Sequence, residues 1–211
     1  MYTLTDRLLG AADNALRTLL APPQATRPSP VQRLHQASEL TDDEKRLSGA
    51  LMRVNHAGEV CTQALYTAQA LTARSGSLRW QLDKTTHEET DHLAWTRARL
   101  RELEAHTSRL NPLWYAGAFG VGVLAGRLGG DRLSLSLMVE AERQMEARLA
   151  SHLEHLPQTD RASRAIVSEM RKDEARHADH AMDAGGTRLP FPLRGLMRVA
   201  AGVMARTARC I

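Results

Sequence analysis

Two stretches, "HEETDHLAW" at 87–95 and "MRKDEARHADH" at 170–180, constrain this chain more than anything else in it, because each contains Glu-x-x-His. On a helix, residues three apart lie on one face, one above the other. Glu89 therefore stands beside His92, and Glu174 beside His177. Steps of three and four along the apolar seam read Leu82, Thr85, Glu89, His92, Thr96, Leu103 in one segment and Ile166, Met170, Glu174, His177, Ala181 in the other. Both pairs thus fall on stripes predicted to be buried. A carboxylate beside an imidazole on a buried stripe is costly unless something compensates its charge.

The surrounding pattern is helical throughout. Aromatics make up only 4% of the 211 residues, and the abundance of Ala, Leu, Arg and Glu favours helix over strand. Residues 3–20 form a short amphipathic helix, followed by a linker marked by Pro22, Pro23, Pro28 and Pro30. Thr41 with Glu44 three residues on is a capping box that opens the next helix, which runs to about Ala73 before "RSGS" breaks it. Further helices are predicted over 78–106, 131–156 and 160–183, and a basic amphipathic helix closes the chain. The expectation is an all-α protein: an antiparallel four-helix bundle with one long crossover and extra amphipathic helices at both ends. Its units are 1–40 (helix and Pro-rich linker), 41–186 (the bundle, with a Gly-rich membrane-facing hairpin at 111–130) and 187–211 (the basic tail).

The two remaining long helices complete the set of acids. One face of the first reads Met52, His56, Glu59, Gln63, Tyr66, so Glu59 points inward. In the third, the stripe through Glu142 (Leu135, Met138, Glu142, Met145, Leu149) is apolar, whereas that through Glu140 (Leu133, Leu137, Gln144, Ala147, Ser151) is half solvent-like. Glu142 also keeps the spacing near-symmetric, 32 residues before Glu174 as Glu59 is 30 before Glu89. A Glu from each of two helices plus Glu-x-x-His from each of the other two is the ligand set of a di-iron or di-manganese carboxylate bundle. Carboxylates mixed with imidazole, without thiolate, favour iron or manganese over structural zinc. Asp91 and Asp173 are the expected acceptors for the histidines' outer ring nitrogens, and His56 and Tyr66 are candidates for proton relay or for hydrogen-bonding a substrate.

Charge and cysteines narrow the class further. The five arginines after Asp183, with no acid among them, account for the net charge of +4. Basic amphipathic helices of this kind bind anionic membrane surfaces, and the apolar 113–128 segment is expected to dip into the interface. No nucleic-acid motif accompanies the basic tail, and few aromatics are available to stack bases. Cys61 and Cys210 build no disulfide framework and no Cys₄ iron site, which points to a reducing compartment.

The segments "LMRVNHAGEVCTQALY" (51–66), "EETDHLAW" (88–95), "AHTSRLNPLWYAGAFGVGVLAG" (105–126) and "MRKDEARHADHA" (170–181) resemble the demethoxyubiquinol hydroxylase family of ubiquinone biosynthesis in its bacterial form, over nearly the whole chain. "RVNHAGE" (53–59) is the most specific of these motifs. The resemblance implies a ferritin-like antiparallel four-helix bundle that is a di-iron monooxygenase with two Fe ions per subunit. It would use O₂ to hydroxylate 2-polyprenyl-3-methyl-6-methoxy-1,4-benzoquinol in the penultimate step towards ubiquinone. It carries the iron ligands onto Glu59, Glu89, His92, Glu142, Glu174 and His177, with Glu140 as the competitor in "MVEAERQ". It further implies a peripheral protein on the cytoplasmic side of the inner membrane, with a second copy or other ubiquinone-biosynthesis proteins as candidate partners. The alternatives to weigh are a rubrerythrin-like peroxidase and a ferritin-like iron-storage bundle.

Overall fold

In the computed structural model, which describes residues 3–34 and 39–211, the described residues contain six α-helices and no strand. Part of the predicted linker, 35–38, lies outside the described residues. The helices are α1 (Leu4–Leu20), α2 (Asp42–Thr72), α3 (Gly76–Glu102), α4 (Asn111–His155), α5 (Arg161–Asp183) and α6 (Phe191–Cys210), with one 3₁₀ turn at Pro30–Arg33. The Thr41–Glu44 capping box forms: Thr41 Oγ1 accepts the Glu44 N–H at 3.3 Å, and Glu44 Oε2 accepts the Thr41 N–H at 2.9 Å. The α2–α3 turn is pinned from outside by Asp131, whose carboxylate accepts the N–H groups of Arg74 and Ser75, each at 2.8 Å.

The predicted glycine-rich hairpin at 111–130 is helical and forms the first of two arms of α4, which a kink joins. Gly122 and Gly126 let it lie close along α2, since a Cβ there would meet Ala68 Cβ and Leu65 O at 2.7 Å and Thr72 Cβ at 2.7 Å. The reversal comes at Gly130 (φ 62°, ψ −158°), a backbone region essentially reserved for glycine. The second arm then returns alongside α2, with Ser134 O accepting from Gln69 Nε2 at 3.0 Å and Met145 against Gly58. α2 and α5 thus run one way, α3 and the second arm of α4 the other. Gly122 and Gly126 leave the first arm helical, and their missing side chains permit its close packing on α2.

Two apolar plugs close the bundle. One gathers Met52, Leu100, Leu149, Ile166 and Met170; the other gathers Tyr66, Leu82, Leu135, Met138 and Ala181. Each fully buried side chain of this size contributes about 1.5–3 kcal/mol, enough to hold a polar layer between the plugs. Around the bundle, α1, the first arm of α4 and α6 lie across α2 and leave much apolar surface outside. Leu4, Leu8, Leu9, Leu16 and Leu20 of α1 are exposed, as are Leu124 and Leu128 of α4 and Phe191, Leu196 and Val199 of α6. No helix among the described residues is long and apolar enough to cross a membrane.

Candidate metal centre

Between the plugs the four central helices bring together all six acids and histidines of the apolar stripes. Glu59, Glu89, His92 and Glu174 each offer an atom within 4.8 Å of the others, and so do Glu89, Glu142, Glu174 and His177. The two groups share Glu89 and Glu174, so these carboxylates lie between two centres, with Glu59 and His92 on one side and Glu142 and His177 on the other. None of the six is more than 2% exposed. Glu140 lies outside the cluster: its Oε1 accepts from Gln144 Nε2 at 2.6 Å, on the side of α6.

Both imidazoles turn the same nitrogen inward. His92 Nδ1 lies 2.9 Å from Glu89 Oε2 and 3.3 Å from Glu174 Oε1. His177 Nδ1 lies 2.9 Å from Glu89 Oε1 and 4.0 Å from Glu142 Oε1. The outer nitrogens are held by carboxylates, His92 Nε2 by Asp173 at 3.0 Å and His177 Nε2 by Glu88 at 2.8 Å. A carboxylate only accepts, so each Nε2 carries a proton, and a cation bound in the cluster would take the lone pair of a neutral Nδ1. Asp173 therefore takes the place expected for it. Asp91 does not, and Glu88 holds His177 instead. Asp91, next to His92 in sequence, faces the linker, where it accepts from the Thr26 N–H at 2.6 Å and from Arg27 Nε at 2.8 Å.

Arg27 is the residue that sequence reasoning missed. It spans Asp91 and Asp173 (Nη2 to Asp173 at 2.7 Å), its guanidinium 4.9 Å from the centre of the Trp95 ring. The proline-rich segment is thereby strapped onto the group that orients His92. Nothing local marks Arg27, because its partners lie 64 and 146 residues away. Glu88 had a faint sign in the doublet "EE".

The electrostatics call for cations. All eight carboxylate oxygens of Glu59, Glu89, Glu142 and Glu174, and both inward Nδ1 atoms, are buried without a hydrogen-bond partner. Burial and the neighbouring Glu174 push the carboxyls of Glu59 and Glu142 well above their ordinary range. Burial lowers the His177 pKa, but Glu89 and Glu88 outweigh it and raise the pKa to about 10. His92 moves up likewise, Glu89 again overcoming burial. Protons taken up in this way stand in for positive charge that four convergent carboxylates require. Two divalent cations would satisfy it with carboxylate and imidazole donors of the right chemical type, so the residues present fit the implied metal pair.

His56 and Tyr66 are not among the converging groups. His56 is buried with its Nδ1 unpartnered, and burial together with Arg97 lowers its pKa to about 4, which leaves it neutral near pH 7. Tyr66 is fully buried within the second apolar plug, its hydroxyl unpartnered.

Comparison with known proteins matches residues 46–208 to the family described as "Ubiquinone biosynthesis protein COQ7". The chain belongs to this family. A Polaromonas protein named 3-demethoxyubiquinol 3-hydroxylase is 60% identical over 99% of both chains. A protein of the same name from Variovorax paradoxus is 59% identical over the full length of both, and one from Polaromonas naphthalenivorans is 60% identical over the full length of both. The span matched to the family contains all six converging residues and begins after the Arg27 strap, whereas these relatives align across the strap as well.

An apolar cavity of about 370 Å³ is walled by α2, both arms of α4 and α6. Gly58 and Ala141, which line it, are the chain neighbours of Glu59 and Glu142. Adding a Cβ at Gly58 would place it 2.4 Å from Met145 Cε, so the glycine keeps this wall thin.

Proposed function

We propose that this chain is a 3-demethoxyubiquinol 3-hydroxylase, a monooxygenase that adds a hydroxyl to the one open carbon of a polyprenylated methoxy-benzoquinol ring. The observation that carries the reading is the pair of overlapping Glu/His groups sharing Glu89 and Glu174, in a chain whose full-length relatives bear that name. Glu59, Glu89, His92, Glu142, Glu174 and His177 hold two iron ions. When bound, the iron pair supplies the redox chemistry with dioxygen that no amino-acid side chain provides.

The chain's own residues do the rest. Asp173 and Glu88 fix the tautomer and orientation of His92 and His177 at their Nε2 atoms. The apolar plugs exclude water from the layer of acids. The cavity between α2, α4 and α6 takes the quinol ring, its wall at Gly58 and Ala141 setting the ring against the Glu59–Glu142 side of the cluster. The polyprenyl tail leaves towards the exposed apolar faces of the first arm of α4 and of α6. These faces, with the arginines of α6 and the leucines of α1, hold the protein peripherally on the cytoplasmic side of the inner membrane. His56 and Tyr66 remain candidates for relaying protons.

The test is complementation. Expressed in a strain that accumulates the demethoxy quinone, the chain restores mature ubiquinone, measured by mass spectrometry. Glu174→Ala does not, and its purified protein carries less iron than the parent. Soluble, iron-loaded parent protein with no conversion would refute the assignment. Removing residues 188–211 shifts the protein from membrane to soluble fractions; unchanged partitioning would remove the tail's assigned role.

A further inference from the structure

On the far side of α4 from the cluster runs a groove of about 880 Å³ between its second arm and α6. Five arginines line it: Arg143, Arg148, Arg188, Arg194 and Arg198. Arg143 is neutralised by Glu146 at 3.1 Å and by Asp179. The other four form no ion pair among the described residues, and Arg194 Nε is buried with no hydrogen-bond partner. The Arg148 guanidinium is turned to the α2 side, its Nη1 3.6 Å from where a Cβ on Gly58 would stand, which leaves Arg188, Arg194 and Arg198 to the groove. The one acid in the wall, Glu140, accepts from the neutral amide of Gln144 and keeps its charge, which the arginines of the groove outnumber.

We propose that this groove binds a phosphoryl-bearing ligand, gripped by Arg188, Arg194 and Arg198. Three like charges facing one concavity repel one another, and low-dielectric walls concentrate their field there. An anion relieves both effects. Guanidinium forks present paired donors that match phosphate geometry. Three such forks offer more donors than the two oxygens of a carboxylate accept, whereas a phosphoryl group brings three strong acceptor oxygens and about −1.5 to −2 of charge.

The groove is far larger than a bare phosphate and falls within the span of about 300–1,000 Å³ typical of small-molecule sites. Gln144, Arg148 and Ala201 line both this groove and the apolar cavity behind it. The ligand therefore has a charged head and a larger remainder. A phospholipid headgroup and a soluble phosphate compound share this chemistry. The inference stands on the arginines alone and does not rest on the hydroxylase reading.

Isothermal titration of the full-length protein separates the two sources. One arm uses sodium pyrophosphate, the other dihexanoyl phosphatidylglycerol below its micelle concentration. Binding of pyrophosphate assigns a soluble phosphate; binding of the lipid without pyrophosphate assigns a headgroup. In either case R194A/R198A weakens binding by about tenfold or more, the loss of about 1.4 kcal/mol. The single variant R198A, at an exposed position, shows a smaller loss in the same direction. R161A/R171A removes the same charge from exposed positions of α5 outside the groove and binds as the parent does. Absence of binding in both arms, parent-like binding by R194A/R198A, or an equal loss in R161A/R171A would overturn the proposal.

Discussion

Replacing Arg27 by alanine tests the reasoning about the centre without touching any of the six converging residues. The guanidinium donates to Asp91 at 2.8 Å and to Asp173 at 2.7 Å, and these carboxylates are only 1% and 2% exposed while Arg27 itself is 35% exposed. Removing one partner of a buried ion pair costs about 3–5 kcal/mol, chiefly because the remaining charge is left unpaired. Two features reduce that figure here. Arg27 is partly solvated, which screens its pairing, and Asp173 keeps Arg176 at 2.9 Å and His92. The lost contact with Trp95 adds about 0.5–1 kcal/mol. The net expectation is about 2–3 kcal/mol from a total that in proteins of this size is about 5–15. Urea unfolding followed by circular dichroism measures it at pH 7. Asp91→Asn in the same chain removes one of the stranded charges, so the double variant loses less than the two single losses added together.

The deficit has a defined pH dependence. Burial raises the Asp173 pKa, but His92 and Arg27 outweigh it and hold the carboxyl well below its ordinary range. A depressed carboxyl stabilises the fold above its unfolded pKa, and that stability is lost as pH falls through the folded value. The difference between parent and Arg27→Ala therefore narrows as the solution is acidified below about pH 4. A loss under about 1 kcal/mol at pH 7, or no relief from Asp91→Asn, would show that the strap is not anchored by these charges.

Other outcomes follow from single contacts. Glu88→Ala frees His177 Nε2 and lowers metal affinity about 10- to 100-fold in chelator competition, with Glu88→Gln between it and the parent because the amide oxygen still accepts. Gly122→Ala forces a methyl to 2.7 Å from both Leu65 O and Ala68 Cβ; overpacking of about 1–3 kcal/mol exceeds the roughly 1 kcal/mol gained in helix propensity, so thermal stability falls. Gly10→Ala, where a Cβ meets nothing within 4 Å, raises α1 stability by about 0.5–1 kcal/mol, read by the helical signal on heating.

Local pattern determined a great deal. The 3.6-residue period placed Glu59, Glu89, His92, Glu142, Glu174 and His177 on inward faces, because an acid among leucines and methionines on a helix has nowhere else to point. The capping box at Thr41 and the break at "RSGS" followed from turn chemistry confined to a few residues. Tertiary structure decided what depends on chain segments meeting from afar. The glycine-rich stretch looks like a hairpin in isolation, and only the close face of α2 makes its glycines the contact surface of a helix. Glu88 rather than Asp91 holds His177, since which carboxylate crosses to α5 depends on how α3 is rotated against it. Arg27 reaches the centre from outside the bundle. A helix's own period is written in its neighbours in sequence, whereas the partner of a charge is chosen by whichever surface folding brings within 3 Å of it.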